Sequence, residues 1–416
     1  MPTTECLAPL RLDVHPERSV EVTFDAPQVS SDGGLVLLRA LDERLGMCAQ
    51  VAELVPDKRD PNRIVHSRLE QVRQRIFQIA LGYEDQNDAT TLRADPLARA
   101  MCDRLPEDKQ GLSSQPTLSR LEHAVSARDV VNMQRLLEDD YVCSLPDDTT
   151  AVVLDLDATD DPTHGQQPLS FFHGHYGHAM YFPLLVFDGE GRLVSVRLRP
   201  GNAGNNRYGT PLMVRLVRKI KLRFPHAMVA VRADSGFCTP QMLDALESLL
   251  GDKPNPRFVV TSLAQVPPQM LYENGYCGRG DAENRIKDFK NALAGDRLSC
   301  TTYVANAFRL LLHAFAYRLL DALRDEAAAA APSLELESAQ FDTLRLRLLK
   351  VAAVVRQSVR RITIALSKAF PLASIFRQVA VRLAAPILAA CAARACKLHL
   401  AVPDTTERRT CAFCSY

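Results

Sequence analysis

Short apolar runs predict a set of strands in the middle of the chain. Residues 151–157 and 227–234 are rich in β-branched and apolar side chains, and each run ends in an aspartate before turn-forming residues. Runs of this length and composition are typical of buried strands. Further strands are predicted at residues 181–188, 192–198 and 257–263, with helices at residues 210–224 and 240–250.

The regions on either side of these strands carry apolar residues at helical spacing. Helices are predicted at residues 34–45, 66–82, 304–324 and 344–368, and a pair of helices is predicted around residues 113–125. A short strand is also expected at residues 19–24, where polar and apolar residues alternate. The helix containing Ser119 and Arg120 is a candidate reader of the DNA major groove, with packing against the rest of the protein as the alternative.

These patterns divide the chain into three parts. We expect a mostly helical region over residues 1–148, an α/β core over residues 149–295 and a second helical region over residues 296–416. The core reads β-β-β-α-β-α-β-α, which is the order of elements in an RNase H-like mixed sheet. The predicted fold class is therefore α/β, with an RNase H-like core flanked by helical N- and C-terminal regions.

A stripe of polar residues with helical spacing follows the last predicted strand. Tyr276, Arg279, Glu283 and Lys290 are three, four and seven residues apart, and Lys287 lies beside them. Such spacing places side chains on one face of a helix. A carboxylate flanked by cations suits a metal ion held beside a phosphodiester. The alternative interpretation is a solvated helix face with ordinary ion pairs.

Two upstream aspartates favour the functional interpretation of this stripe. Asp157 and Asp234 each end a predicted strand, and ligand-binding groups collect at such strand ends in α/β sheets. A single aspartate there is more often a turn or helix-capping residue. Asp155, Asp160 and Asp161 are rivals for the first position, and Asp155 has the same strand parity as Asp157.

The motifs resemble those of bacterial insertion-sequence transposases of the DDE type. The pattern Y-x2-R-x3-E-x6-K, from Tyr276 to Lys290, is the signature of that superfamily, and the first aspartate stands in D-A-T. More closely, the chain resembles the group-1 DDE-domain family, the insertion-sequence thirteen-eighty type. The resembling segments are SSDGGLVLL, RQRIFQIALGYEDQNDATTLRADP, SQPTLSRLE, DATDDPTHGQQ, HGHYGH, RPGNAGNNRYG and YCGRGDAENRIK. They span nearly the whole chain.

The resemblance implies a metal-dependent reaction on DNA. It assigns Asp157, Asp234 and Glu283 as catalytic residues that hold two Mg²⁺ or Mn²⁺ ions, with Asp157 bridging them. The residues that it implies for DNA binding are Tyr276, Arg279, Lys287 and Lys290. The implied activity is DNA cleavage and strand transfer for cut-and-paste transposition. The implied partners are double-stranded DNA, as transposon ends and target, and a second copy in a synaptic dimer, with the N-terminal region a candidate for binding the ends.

One departure from the family pattern leaves other functions open. Relatives usually carry a long insertion between the second aspartate and the glutamate, whereas only one helix, one strand and a short link separate Asp234 from Glu283 here. The alternatives are an internally deleted, inactive copy that only binds DNA ends, and a metal-dependent nuclease that cuts without joining.

Composition gives weaker guidance on partners and location. The 416 residues carry a net charge of only +1, but basic stretches at residues 192–232 and 345–382 are typical of phosphate contacts or of solvated faces. No secretory signal or apolar run of membrane-spanning length is visible, so we expect a cytoplasmic, nucleoid-associated protein without a membrane partner.

Cysteine and histidine patterns do not indicate a zinc site. Cys411 and Cys414 form a lone C-x-x-C at the C-terminus, which is weak evidence for zinc or redox chemistry. The histidines of the middle region are His164, His173, His175 and His178. Their spacing matches no tetrahedral pattern, and we expect a structural or DNA-facing loop.

Overall fold

The computed structural model describes residues 10–12, 14, 16–23, 25–204, 206–250 and 280–384. Several predictions lie outside the described residues: the strand at residues 257–263, the positions of Tyr276 and Arg279, and the C-terminal pair Cys411 and Cys414. Among the described helices, none combines the length and the apolar content needed to span a membrane.

The N-terminal region is mostly helical, as predicted. Its elements are β1 (Leu10–Leu12), β2 (Val20–Val22), β3 (Val29–Ser30), α1 (Leu35–Leu45), α2 (Met47–Leu54), α3 (Arg68–Leu81), α4 (Ala89–Leu92), α5 (Pro96–Met101), α6 (Gln115–Glu122) and α7 (Ala127–Ser144). The Ser67 hydroxyl accepts a hydrogen bond from Glu70 N at 3.0 Å and so caps α3, which ends at Gly82 with φ +88°. Helices α6 and α7 lie where a pair of helices was predicted, around residues 113–125.

The middle region has seven described strands. They are β4 (Ala151–Ala158), β5 (Asp161–Pro162), β6 (Phe171–His173), β7 (His178–Tyr181), β8 (Leu184–Asp188), β9 (Leu193–Arg197) and β10 (Met228–Ala233). Its described helices are α8 (Gly209–Arg223), α9 (Pro240–Leu250) and α10 (Gly280–Lys287). The strand predicted at residues 181–188 is two strands, since Pro183 lies between β7 and β8 and cannot donate to a ladder.

Two sheets form in this region. The larger sheet has the order β10-β4-β8-β9, with β10 parallel to β4 and the other pairs antiparallel. Helix α8 covers it with buried side chains such as Leu216, which pack against Leu154 and Val186 in one apolar cluster. The smaller sheet, β5-β7-β6, follows the carboxyl end of β4.

The C-terminal region differs from its prediction in one element. It contains α11 (Tyr303–Ala330), α12 (Phe341–Leu344), β11 (Ala353–Gln357), β12 (Ile362–Leu366) and α13 (Ala373–Ala384). The helix predicted at residues 304–324 is confirmed in α11. The helix predicted at residues 344–368 is wrong, because most of that range forms the antiparallel β11–β12 hairpin. Its β-branched residues, Val354, Val355, Ile362, Thr363 and Ile364, favour strands.

Helix α11 is the centre of the largest apolar core. Leu311 and Phe315 are buried on it, and α1, α3, α7 and α13 pack around it. Apolar residues from both terminal regions therefore share one cluster. Strand β11 also pairs with β3, so a sheet joins the two regions as well. The three-part division of the chain stays a prediction, and this shared core connects its first and third parts.

Candidate active site

The sheet places two of the predicted site residues side by side. Leu156 and Ala233 are the last pair in the parallel register of β4 and β10, and Asp157 and Asp234 each follow by one residue. Neighbouring strands are about 4.8 Å apart, so the two aspartates stand next to each other at the carboxyl ends of their strands. Both are partly buried. This edge of the sheet is called the aspartate edge below.

Local hydrogen bonds orient both carboxylates. Asp157 Oδ1 accepts a hydrogen bond from Ala158 N at 2.8 Å. Asp234 Oδ1 accepts one from Gly236 N at 2.9 Å, which forms a turn around the residue. Asp234 therefore forms the turn that was considered for it. The turn orients the carboxylate through one of its two oxygens.

Asp155 and Asp160, two of the rival candidates for the first position, each lie beside a basic side chain. Both oxygens of the buried Asp155 accept from Arg232 on the neighbouring strand, with each contact at 2.5 Å. Asp160 accepts from Lys290 Nζ at 2.8 Å, and its Oδ2 lies 3.4 Å from His178 Nε2. Each of these aspartates already has a cationic or imidazole partner close by.

Asp161 has the most unusual environment of the group. Its side chain is fully buried, and neither carboxylate oxygen has a hydrogen-bond partner among the described residues. Burial raises its pKa well above the usual value. The negative charges of Asp296 and Asp160 raise the pKa further, while the positive charge of Lys290 lowers it. The environment therefore favours the neutral acid.

Glu283 lies on α10 and is exposed. The side chain of Arg285 packs on Gly191 in the turn between β8 and β9, while Lys290 reaches Asp160 beyond the end of β4. The helical segment therefore runs from that turn towards the aspartate edge, with Glu283 on the side of the turn. Within the described ranges, no three His, Cys, Asp or Glu side chains are grouped to hold a metal. The fold places Asp157 beside Asp234, whereas Glu283 does not form a three-residue group with them in the described part of the chain.

The two predicted lysines have different surroundings. Lys287 is exposed. Lys290 Nζ donates to the main-chain oxygen of Asp160 at 2.9 Å and to its carboxylate, and lies 3.7 Å from Asp296 Oδ2. Residues Asp288–Ala292 form a π-helical turn after α10. Such turns are rare in proteins as a whole, but those that occur are often at functional sites. This one widens the helical spacing between Glu283 and Lys290, which sequence analysis took as uniform.

Tyr176 belongs to the aspartate edge and was missed by sequence analysis. It lies in the turn between β6 and β7, with its ring centroid 5.2 Å from that of His173 and 6.0 Å from that of Phe182. Burial raises the pKa of Tyr176, and the charges of Asp160, Asp157 and Asp234 raise it further. The HGHYGH motif contains Tyr176 and could have indicated it, but sequence analysis considered only the histidines of that motif.

A family model described as "Transposase DDE domain group 1" matches residues 12–252 and 249–386. The chain belongs to this transposase family. No curated protein matches the chain. Among solved structures, the chain is similar to the cryo-EM structure of the piggyBac transposase synaptic complex with hairpin DNA. That match has 10% identity and a TM-score of 0.38, and it covers 90% of this chain and 86% of the other.

Transposases of the DDE type generally use divalent metal ions, and the aspartate edge fits part of such a site. Asp157 and Asp234 supply carboxylate oxygens from adjacent strands, which are the ligands that Mg²⁺ and Mn²⁺ prefer. A third carboxylate is missing from this group in the described part of the chain. The two matched segments of the transposase also meet at residues 249–252, beside the range 251–279 that separates α9 from α10.

Proposed function

We propose that this transposase catalyses metal-dependent DNA cleavage and strand transfer, moving an insertion sequence by cut-and-paste. The observation that carries the proposal is the side-by-side position of Asp157 and Asp234 at the ends of two parallel strands. The family match supports the same chemistry. The proposed core is RNase H-like, and the proposed substrates are the transposon ends and a target duplex, held by a dimer in the cytoplasm of a bacterium.

In this proposal Asp157, Asp234 and Glu283 hold two Mg²⁺ or Mn²⁺ ions. Bound ions would stabilise the charge that develops during in-line displacement at phosphorus. Glu283 is exposed, and none of the described side chains forms an ion pair with it. Completion of the site requires α10 to bring Glu283 towards the aspartate edge.

The proposed DNA contacts surround this edge. Tyr276, Arg279, Lys287 and Lys290 would hold phosphates or a displaced nucleotide. Lys290 is bound to Asp160, so a phosphate would have to compete with that carboxylate for the ammonium group. The exchange would release Asp160 at the moment when DNA arrives.

A panel of charge-removing variants tests the enzyme proposal. Asp157→Asn, Asp234→Asn and Glu283→Gln should each slow metal-dependent cleavage of DNA that carries the sequences flanking the gene by about a hundredfold or more, since a metal ion contributes several kcal/mol. Asp148→Asn, at an exposed aspartate, is the matched control and should cleave normally. Wild-type rates in all three site variants would refute the proposal.

Metal binding gives a second readout that does not need activity. Mn²⁺ should raise the melting temperature of the wild type, because a ligand that binds only the folded state stabilises it. Asp157→Asn and Asp234→Asn should each lose this rise. Loss of the rise in Asp148→Asn would instead point to a site elsewhere.

A joining assay separates a transposase from a nuclease. Supplied with a pre-cut element end bearing a free 3′-hydroxyl, the wild type should join that end to a target duplex. Cleavage of flanking DNA without joining would leave the nuclease as the better description.

A DNA-binding protein without catalysis is the second candidate. Two observations favour it: Glu283 is not grouped with the aspartates among the described residues, and the family model matches in two separate segments that overlap at residues 249–252. This candidate predicts that the wild type binds the flanking DNA but does not cut it with either Mg²⁺ or Mn²⁺. Metal-dependent cutting that is lost in Glu283→Gln would rule it out.

A further inference from the structure

The β11–β12 hairpin ends in an ordered, projecting tip. The strands pair from Ala353 with Leu366 to Gln357 with Ile362. Beyond the last pair, Ser358 N donates to Arg361 O at 2.8 Å and Arg361 N donates to Ser358 Oγ at 3.1 Å. These bonds close the turn and fix its shape. The hairpin lies in a different sheet from the aspartate edge.

The tip concentrates positive charge. Arg356, Arg360 and Arg361 are exposed, and Lys368 is exposed just beyond β12. Glu107 contacts the hairpin through its main-chain N, which donates to Gln357 Oε1 at 3.3 Å. Within the ranges that the structure describes, none of these four cations forms an ion pair.

Several buried arginines elsewhere in the described fold are paired with carboxylates. Arg73 binds Asp42, Arg309 binds Glu122 and Arg318 binds Asp140. The hairpin arginines are instead close to one another in sequence and face solvent, so their mutual repulsion favours a ligand of high negative charge. A surface of this kind is typical of contacts with the phosphate backbone.

An apolar side chain occupies the tip itself. Val359 is as exposed as in an extended reference peptide, at 104%, and Ile362 is 41% exposed. An apolar tip flanked by guanidinium groups suits a groove, since apolar side chains can contact base edges while arginines reach the phosphates on either side. The major groove, about 12 Å wide, admits a two-stranded ribbon.

We infer that the β11–β12 hairpin is a DNA-binding arm that inserts its tip into the major groove of duplex DNA. Arg356, Arg360 and Arg361 contact phosphates, and Val359 faces the groove. The inference rests on the proposed function, because it names a second contact to the same substrate, away from the aspartate edge. Phosphate contacts position a duplex without reading its sequence, so the arm holds DNA of any sequence.

Salt dependence of binding tests the arm directly. Full-length Arg356→Gln/Arg360→Gln/Arg361→Gln is titrated with a fluorescein-labelled duplex of mixed sequence, without metal, at several salt concentrations. Each lost phosphate contact reduces the slope of log K against log salt by about 0.9, so the triple variant should lose a slope of about 2.7. Its affinity at about 0.15 M salt should fall by roughly tenfold or more.

Three companion variants keep the test specific. Lys58→Gln/Arg63→Gln/Arg128→Gln removes the same charge from other exposed positions and should leave most of the slope intact. Arg356→Lys/Arg360→Lys/Arg361→Lys should restore the slope, because ammonium groups also neutralise phosphates. Val359→Ser should weaken binding by less than tenfold at an unchanged slope. Matching circular dichroism melts establish that each variant is folded.

The outcomes separate the arm from the proposed catalysis. If the folded glutamine triple variant shows the same salt dependence of binding as the wild type, the inference of a DNA-binding arm is overturned, even if the wild type cuts DNA. A reduced slope supports the arm, even if no cleavage is found. If the glutamine triple variant binds DNA normally but no longer self-associates, the hairpin is an interface between copies of the chain. This result would also overturn the inference that it is a DNA-binding arm.

Discussion

Four aspartates within seven positions have four different environments. Asp155 is buried against Arg232, and Asp157 stands at the aspartate edge beside Asp234. Asp160 binds Lys290, and Asp161 is buried without a hydrogen-bond partner among the described residues. Strand parity made Asp155 and Asp157 equal candidates. The family motif favoured Asp157, and the partner strand also distinguishes the two, because β10 places Arg232 opposite Asp155.

Replacement of Asp161 by asparagine should stabilise the protein at neutral and higher pH. Burial raises the pKa of Asp161, so its stabilising contribution is complete below the ordinary pKa of an aspartate and is lost as pH rises through the raised value. Asp161→Asn cannot ionise and so removes this loss, and the gain should be about 1–3 kcal/mol where the wild-type carboxylate is charged, since each unit of raised pKa corresponds to about 1.4 kcal/mol.

Chemical unfolding across a pH series measures the effect of Asp161→Asn. The variant and the wild type should be equally stable at acid pH and should separate as pH rises. Asp148→Asn, at an exposed position, should follow the wild type throughout. Destabilisation by Asp161→Asn at every pH would mean that the carboxylate has a partner that the neutral amide cannot replace.

At the level of elements, the strands at the aspartate edge were the most predictable part of the chain. β4 spans Ala151–Ala158 against a prediction of residues 151–157, and β10 spans Met228–Ala233, ending just before Asp234. Buried parallel strands are continuous apolar runs, which makes them readable from sequence. Placement of each aspartate at a strand end followed from these runs alone, whereas the pairing of β4 with β10 did not.

The hairpin after α12 could not be predicted in the same way. Residues 344–368 carry apolar side chains at positions compatible with both a helix and strands, and the helical interpretation was chosen. The β-branched residues and the pairing of β11 with β12 favour strands, and β3, at Val29–Ser30, adds a distant partner to β11. Cross-strand pairing over more than three hundred residues is not visible in local periodicity.

A second contact between the same two regions depends on the absence of a side chain at Gly34. Gly33 N donates to Val351 O at 2.7 Å and Gly34 N to Leu349 O at 3.1 Å. A Cβ at Gly34 would lie 2.1 Å from the carbonyl oxygen of Leu348. The φ of Gly34 is −72°, which any residue can adopt, so the requirement for glycine is purely steric.

Gly34→Ala should therefore destabilise the protein by about 1–3 kcal/mol or more, because main-chain atoms must move to remove the overlap. Urea unfolding measures the loss. Gly204→Ala is the matched control, since its Cβ would meet nothing within 4 Å and should leave the unfolding midpoint unchanged. Equal stability of the two variants would show that the α12 segment shifts without cost.

At the scale of the whole molecule, buried ion pairs connect the terminal regions through α11. Glu122 on α6 accepts from Arg75 on α3 at 3.0 Å and from Arg309 on α11 at 2.8 Å. All three side chains are buried. Sequence analysis could not identify this cluster, because charged residues on amphipathic helices are typical of solvated faces and their partners are far apart in sequence.

The Glu122 cluster makes a prediction about acid stability. Burial by itself would raise the pKa of Glu122, but the charges of Arg75 and Arg309 outweigh it and hold the pKa at about 2. Because this value is below that of an unfolded glutamate, about 4.3, the carboxylate stabilises the fold above that pH. The contribution is lost as pH falls from about 4.3 towards 2.

Glu122→Gln should lower the free energy of unfolding at neutral pH by about 3–5 kcal/mol, since it leaves two buried guanidinium groups without their counter-charge. The difference from the wild type should shrink below about pH 4.3, where the wild-type carboxylate also begins to lose its charge advantage. Glu337→Gln, at an exposed glutamate, should match the wild type at every pH. If the deficit of Glu122→Gln stayed constant down to the acid limit of folding, lost shape or hydrogen bonding would explain it, and the ion pairs would not hold the two terminal regions together.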